Sequence, residues 1–174
     1  MSRNLPNIII TGTPGTGKST LSEQVAERLS DMNLFSVSDY AKKNKDSHGF
    51  DDERKAIIVD DEKLVDEIEP QLEVGGMIID WHVCDVFPEE LIDLVVVLRA
   101  DNQQLFDRLN KRGYAEDKLQ ENMDAEIMDI ILQDAQSAYA PEIIVELHSD
   151  TVEDMESNLD RIEAWKEQWC KDQE

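Results

Sequence analysis

The chain is poor in cysteine, poor in positive charge and without a long apolar run, and each shortage closes off a class of protein. Its two cysteines, Cys84 and Cys170, are too few for a disulfide framework in 174 residues, so reduced thiols are expected. The apolar runs at Ile8–Ile10 and Leu94–Leu98 fall far short of a membrane span. The first runs straight into a glycine-rich turn and does not read as a secretory leader. Only 17 Lys+Arg stand against 40 Asp+Glu, a formal net charge of −23. That field argues against general affinity for a nucleic-acid backbone. No repeat or low-complexity segment is visible.

What is present suits one soluble domain over residues 1–174: 40 % of residues are apolar and 33 % charged. The charge is unevenly spread. From Leu119 to Asp160 there is no Lys or Arg, while Asp124, Asp129, Asp134, Glu153 and Asp154 all fall there. This segment reads either as a solvated helical surface or as a docking face for a basic protein. Positive residues gather in two groups, Lys42, Lys43, Lys45, Arg54 and Lys55, then Arg99, Arg108, Lys111, Arg112 and Lys118. Two basic islands in an acidic protein suggest a small polyanion held between them. Lys43 and Lys45 read instead as scattered helix-surface lysines.

Asn7–Thr11 is an apolar run bounded by turn residues, as expected of a strand buried on both faces. Leu34–Val37, Met77–Asp80, Leu94–Leu98 and Ile143–Leu147 read as further strands. Between them, Leu21, Val25 and Leu29, then Leu64, Ile68 and Leu72, recur at helical spacing. Ser38 or Asp39 is expected to cap a short helix, Asp60 and Asp101 to start two more, and Gly75-Gly76 to end one. Residues 45–51 read as loop. Leu119, Met123, Ile127, Ile131 and Ala135 step by four and predict one long helix; a last helix carries Leu159, Ile162 and Trp165. Buried strands alternating with helices imply an α/β fold, a parallel sheet with helices on both faces and ligands at the strands' carboxyl ends.

Gly12-Thr13-Pro14-Gly15-Thr16-Gly17-Lys18-Ser19 fits G-x-x-x-x-G-K-[ST] in full. Glycines let the backbone turn so that successive N–H groups point at phosphate oxygens. Lys18 would reach the β and γ phosphates, and the Ser19 hydroxyl would join a Mg²⁺ shell. A buried strand before the motif and an amphipathic helix after it supply the context a chance match would lack. Such a site needs a carboxylate at a neighbouring strand end, and Asp80 is the candidate; Asp85 and Asp93 do not end such a run. His82 lies two residues on; a lone histidine near an apolar strand is more often a packing or capping residue than a catalyst, and by itself His82 reads that way.

Taken together, Gly-Thr-Pro-Gly-x-Gly-Lys-Ser-Thr at 12–20, Ile-Ile-Asp-Trp-His at 78–82, Asp-Val-Phe-Pro-Glu at 85–89, Val-Val-Val-Leu-Arg at 95–99 and Arg-Leu-x-x-Arg-Gly-Tyr at 108–114 resemble the adenylate kinase isoenzyme 6 family. The resemblance spans essentially the whole chain. It implies a P-loop nucleoside monophosphate kinase fold with an AMP-binding insertion at about 35–58 and a short lid at about 111–121. It implies ATP on Gly15, Gly17, Lys18, Ser19 and Thr20, Arg112 reaching the phosphates from the lid, and Arg108 covering adenine. It makes Asp80 and His82 the family's acidic strand-end motif, with the histidine tied to activity. Asp39 and Arg54 are candidates for the acceptor side. It further implies ATPase activity, assembly of the small ribosomal subunit through a basic ribosomal protein, and residence in nucleus and cytoplasm. Lys42-Lys43-Asn44-Lys45 is too short to count as an import signal.

Ordinary adenylate kinases carry Asp-Gly-x-Pro-Arg where this chain has Asp80-Trp81-His82-Val83-Cys84, so an arginine expected on the AMP phosphate is missing. The expected reaction is Mg–ATP + AMP giving two ADP, with slower hydrolysis. Two alternatives stay open: a small-metabolite kinase using Asp39 as base toward a hydroxyl, and an ATP-switched acidic module for a basic ribosomal protein.

Overall fold

The protein is seen in a computed structural model that describes residues 3–44, 49–51 and 56–174. Lys45, Arg54 and Lys55, and with them part of the expected AMP-binding insertion, lie outside the described residues. In chain order the elements are β1 (Ile8–Gly12), α1 (Lys18–Arg28), β2 (Asn33–Ser36), α2 (Val37–Lys43), β3 (Gly49–Asp51), β4 (Ala56–Ile58), α3 (Asp61–Val74), β5 (Met77–Asp80), β6 (Leu94–Arg99), α4 (Asn102–Lys111), α5 (Glu116–Ile127), α6 (Ile130–Ala138), β7 (Ile144–His148) and α7 (Val152–Asp172).

Five strands form one parallel sheet in the order β2-β5-β1-β6-β7. Side chains alternate across it as strand geometry requires. Ile9, Ile79, Val95 and Val97 face Leu64, Ile68 and Leu72 of α3 and Ala135 and Tyr139 of the α6 end. Ile8, Ile10, Ile78 and Val96 face Leu21 and Val25 of α1 and Leu159 and Ile162 of α7. Two hydrophobic layers therefore clamp the sheet, and both faces are closed. The registers Ile10↔Asp80 and Ser36↔Asp80 bring the carboxyl ends of β1, β5 and β2 level. At the other end, Asn7 ties the layers: its side-chain amide donates to the Leu72 and Leu91 carbonyls (2.7 and 2.8 Å) and its oxygen accepts from the Met77 N–H.

The expected caps at Asp60 and Asp101 form; each side chain accepts an N–H three residues on. Three local expectations need correction. The cap of α2 is Ser36, which accepts from Asp39 N–H, because β2 ends one residue earlier than the apolar run suggests. The end of the expected 45–51 loop is a strand, β3, paired antiparallel with β4. The single helix expected through Ala135 is two helices, α5 and α6, parted at Asp129, which sits in the left-handed region at φ 56°. Ile127, counted among the core positions, is 55 % exposed. An α-helix turns every 3.6 residues, so a strict four-residue step drifts off any one face; the chain breaks where the drift leaves the core.

Candidate active site

The first β–α turn carries the glycine motif, and the surrounding helices shape it. Thr16 N–H and hydroxyl both bond the Thr13 carbonyl (3.1 and 2.8 Å), closing the loop on itself. Gly15 and Gly17 have φ of 98° and 93°, values that side chains other than glycine rarely adopt. A Cβ on Gly15 would also lie 2.9 Å from Leu105 Cδ1 and 3.0 Å from Leu109 Cδ2. Helix α4 is thus pressed against the underside of the loop. Gly17 caps α1 without a side-chain hydrogen bond, leaving the first-turn N–H groups of α1 open to an anion.

Lys18 opens α1. Burial lowers its pKa; nearby Asp80 opposes that, and Arg112 adds to it. Lys18 therefore feels one carboxylate and one further cation, and a polyphosphate would relieve the repulsion between the two cations. Asp80 ends β5 and is 5 % exposed. Its pKa is raised by burial, against a hydrogen bond from the Ser19 side chain and the charge of Lys18; Glu23 and Asp39 push it further up. Ser19 and Asp80 are thus in contact. A hydroxyl and a carboxylate are oxygen donors of the hard kind that suits Mg²⁺. Thr20 is exposed in the first turn of α1.

Beyond Asp80 the chain leaves the sheet, and Trp81 and His82 turn to opposite surroundings. Trp81 is buried, whereas His82 is exposed with its ring edge-on to Trp81, centroids 5.8 Å apart. Desolvation, then the charges of Lys18 and Lys118, push the His82 pKa down to about 4. Because the residue is exposed, solvent screens part of that shift without reversing it, and the imidazole is neutral at pH 7. The Tyr139 hydroxyl lies within bonding distance of the Cys84 (2.6 Å) and Phe87 (3.2 Å) carbonyls, fixing the loop that carries His82.

Arg112 is exposed at the C-cap of α4. Gly113 follows at φ 72° and donates to the Asn110 carbonyl, while Tyr114 N–H reaches back to Leu109. This reversal is a left-handed helix stop that glycine favours, and it sends the chain into α5. There Lys118 lies 4.8 Å from the Tyr114 ring centroid, close enough to His82 to act on it. On the opposite flank, Asp39 and Lys43 of α2 line a cavity of about 290 Å³ with Phe35, Ser36, Tyr40 and Asn44. Lys18, Ser19, Asp80, His82, Arg112 and Asp39 are therefore gathered at the carboxyl ends of β1, β5 and β2.

The family described as AAA domain matches residues 8–129. An adenylate kinase isoenzyme 6 homolog of Saccharomyces cerevisiae is 56 % identical over 166 residues, covering 95 % of this chain and 84 % of its own. One from Schizosaccharomyces pombe is 53 % identical over 97 % of this chain and 96 % of its own. The chain belongs to the adenylate kinase isoenzyme 6 family. In fold it also resembles a gluconokinase from Sinorhizobium meliloti, with TM-score 0.56 at 16 % identity over 92 % of this chain and 95 % of the other. The fold is that of the P-loop kinases.

In this adenylate kinase isoenzyme 6 relative, two arginines of the second basic group are engaged with the protein. Arg108 donates to the Ser149 carbonyl at 2.6 Å and, at longer range, to the Gly15 and Asp150 carbonyls. It braces the phosphate loop against the β7–α7 turn. Ser149, which the sequence did not single out, adds a hydroxyl donated to the Thr16 carbonyl. Arg99 is no part of an open basic island: Glu126, Asp129 and Glu146 surround its guanidinium. Glu126 itself is 3 % exposed, so the acidic stretch is not uniformly a solvated surface. Nothing local in the sequence distinguishes it from its acidic neighbours; its partners Thr13 and Arg99 lie 113 and 27 positions away.

Proposed function

We propose that this protein transfers the γ-phosphoryl group of Mg–ATP to AMP, giving two ADP, and hydrolyses ATP more slowly. The observation that carries the reading is the contact of Ser19 with Asp80 beside Lys18, one strand away from the cavity lined by Asp39 and Lys43. ATP would lie along Gly15, Gly17, Lys18, Ser19 and Thr20, with its base toward the turn that Arg108 braces. AMP would enter from the α2 side, with the acceptor insertion at about 35–58. Arg54 belongs to the same proposal.

Mg²⁺ held by Ser19 directly and by Asp80 through water would supply charge neutralisation on the phosphates. Lys18 meets the β and γ phosphates as a point charge, and Arg112 follows the charge that moves in the transition state. An AMP phosphate oxygen is already an anionic nucleophile, so transfer to it requires positioning but no base. Water is a weaker nucleophile, and neutral His82 at the rim can accept its proton. Without the arginine that ordinary adenylate kinases carry at the place of Cys84, the enzyme should be a competent but not a fast kinase.

The acidic surface between Leu119 and Asp160 is the proposed docking face for a basic small-subunit ribosomal protein, in keeping with a role in subunit assembly in nucleus and cytoplasm. Turnover of ATP paired in turn with AMP, CMP, GMP, UMP and a panel of hydroxyl acceptors tests the reaction. AMP should be the preferred acceptor, with EDTA abolishing turnover. A hydroxyl acceptor outrunning every monophosphate would replace this reading with that of a small-metabolite kinase using Asp39 as base.

A further inference from the structure

Three donors from two separate segments converge on the buried carboxylate of Glu126. The Thr13 hydroxyl, from the phosphate loop, donates to Oε1 at 3.2 Å, and Arg99 Nε donates to the same oxygen at 3.1 Å. The Ala100 N–H donates to Oε2 at 3.0 Å. Arg99 Nη2 then reaches the Glu126 carbonyl at 2.9 Å and Asp129 Oδ1 at 2.5 Å. Charge balance alone would be met by Arg99. The bond from Thr13 does something else: it links α5 to the loop whose backbone N–H groups face the nucleotide.

The position of Glu126 along α5 gives that bond its reach. Helix α5 carries Lys118 in its first turn, beside Tyr114 and His82, and Glu126 in its last. Twelve helical residues make a rod about 18 Å long, and its lower end is held by Glu126. Just beyond, Asp129 adopts the left-handed conformation at φ 56° and is itself gripped by Arg99. A shift of Thr13 is therefore passed to a rigid element whose far end lies over the site.

We propose that Glu126 is a positioning residue that couples the phosphate loop, through Thr13, to the placement of α5 and the lid segment 111–121. Nucleotide settling on the loop sets the lid, and the lid in turn favours the loop arrangement that binds nucleotide, as reciprocal coupling requires. This rests on the reading of the loop as an ATP site with 111–121 as its lid.

Two variants separate coupling from support. Thr13→Val removes one hydroxyl from a site that is 1 % exposed and leaves the Glu126–Arg99 pair intact. Glu126→Gln keeps the shape but turns an acceptor oxygen into a donor that faces other donors. Affinity is titrated with a non-hydrolysable ATP analogue, and lid order is read from tryptic cleavage after Lys111, Arg112 and Lys118 with and without saturating analogue. In the wild type the analogue should slow cleavage by roughly tenfold or more. Both variants should bind the analogue more weakly by a factor similar to the protection they lose, roughly tenfold, and, with analogue saturating, still lose most of that protection and drop roughly tenfold in kcat. The double variant should be no slower than Glu126→Gln, since both changes break one connection.

Wild-type protection and kcat in Thr13→Val overturn the proposal. So does a fall of Tm, affinity and kcat together with protection of the bound protein unchanged. Independent, multiplying losses in the double variant overturn it as well. A wild type that phosphorylates AMP while the variants match it removes this inference alone. Glu126-dependent protection in a wild type that transfers nothing to AMP upholds the inference and removes the proposed reaction.

Discussion

Gly15→Ala and Gly17→Ala separate two reasons why a phosphate loop contains glycine. Both residues sit at φ above 90°, so an alanine at either position meets backbone strain of about 1–2 kcal/mol, less about 0.4–1 kcal/mol returned by a stiffer unfolded chain. Only Gly15 is also crowded. Its Cβ would fall 2.9 Å from Leu105 Cδ1 and 3.0 Å from Leu109 Cδ2, and both leucines are fully buried, so neither can swing away. Overpacking of that kind adds about 1–3 kcal/mol. At Gly17 the nearest atom, Ser149 Oγ, is 4.0 Å away, and strain acts alone. Gly15→Ala should therefore cost about 2–4 kcal/mol and Gly17→Ala about 1 kcal/mol. Urea titration followed by far-UV circular dichroism measures both, with m-values checked for constancy. Trimming Leu105 to Ala should narrow the gap by making room while adding its own cavity cost. Equal losses at the two glycines would refute the claim that α4 shapes the loop from beneath.

Lys18→Ala should reduce phosphoryl transfer to near background while the melting temperature stays within a few degrees, because its burial opposes the charge it carries; activity assays beside a thermal melt check both halves. Asp80→Asn should raise the Mg²⁺ concentration needed for half-maximal rate, and an unchanged Mg²⁺ dependence in this variant would dissociate Asp80 from the metal. The His82 pKa is lowered, so between pH 6.5 and about 4 the unfolded chain takes up the proton that the folded one refuses. Its contribution to stability is complete above pH 6.5 and is lost as the pH falls through that window. His82→Gln should then gain on the wild type in stability at acid pH. His82→Gln should also remove the acid limb of ATP hydrolysis per bound nucleotide, and a limb that persists unchanged in this variant removes the imidazole as the base.

The parts of the site that the sequence displays are those whose meaning is local. The phosphate loop is eight consecutive residues, and Asp80 is recognisable because a buried run ends on it. The pairing of Ser19 with Asp80 follows once the two strands are adjacent. What stays hidden depends on distant partners or on a break without punctuation. Glu126 looks like any acid in an acidic stretch until Thr13 and Arg99 are folded against it. No glycine or proline marks the end of α5; Asp129 turns the chain, helped by the guanidinium that holds its carboxylate. Arg99 and Arg108 read as free cations because sequence shows charge without showing what neutralises or engages it. Lys118 is visible as a charge, but its nearness to His82 depends on the helix stop at Gly113.

The pairing Ile10↔Asp80↔Ser36 has a consequence for how this enzyme tolerates change in length. Parallel strands present alternate side chains to opposite faces, so deleting one residue from Met77–Ile79 would carry Asp80 to the wrong side and bring Trp81 to its place at the strand end. Removing one from the preceding Gly75-Gly76 junction would shorten a connection and leave the ladder free to re-form in register. Insertions and deletions should thus be sharply polarised along this short stretch. A scan of single-codon deletions from Val74 to Val83, scored for phosphotransfer, would trace the edge of the catalytic frame as a step between adjacent positions.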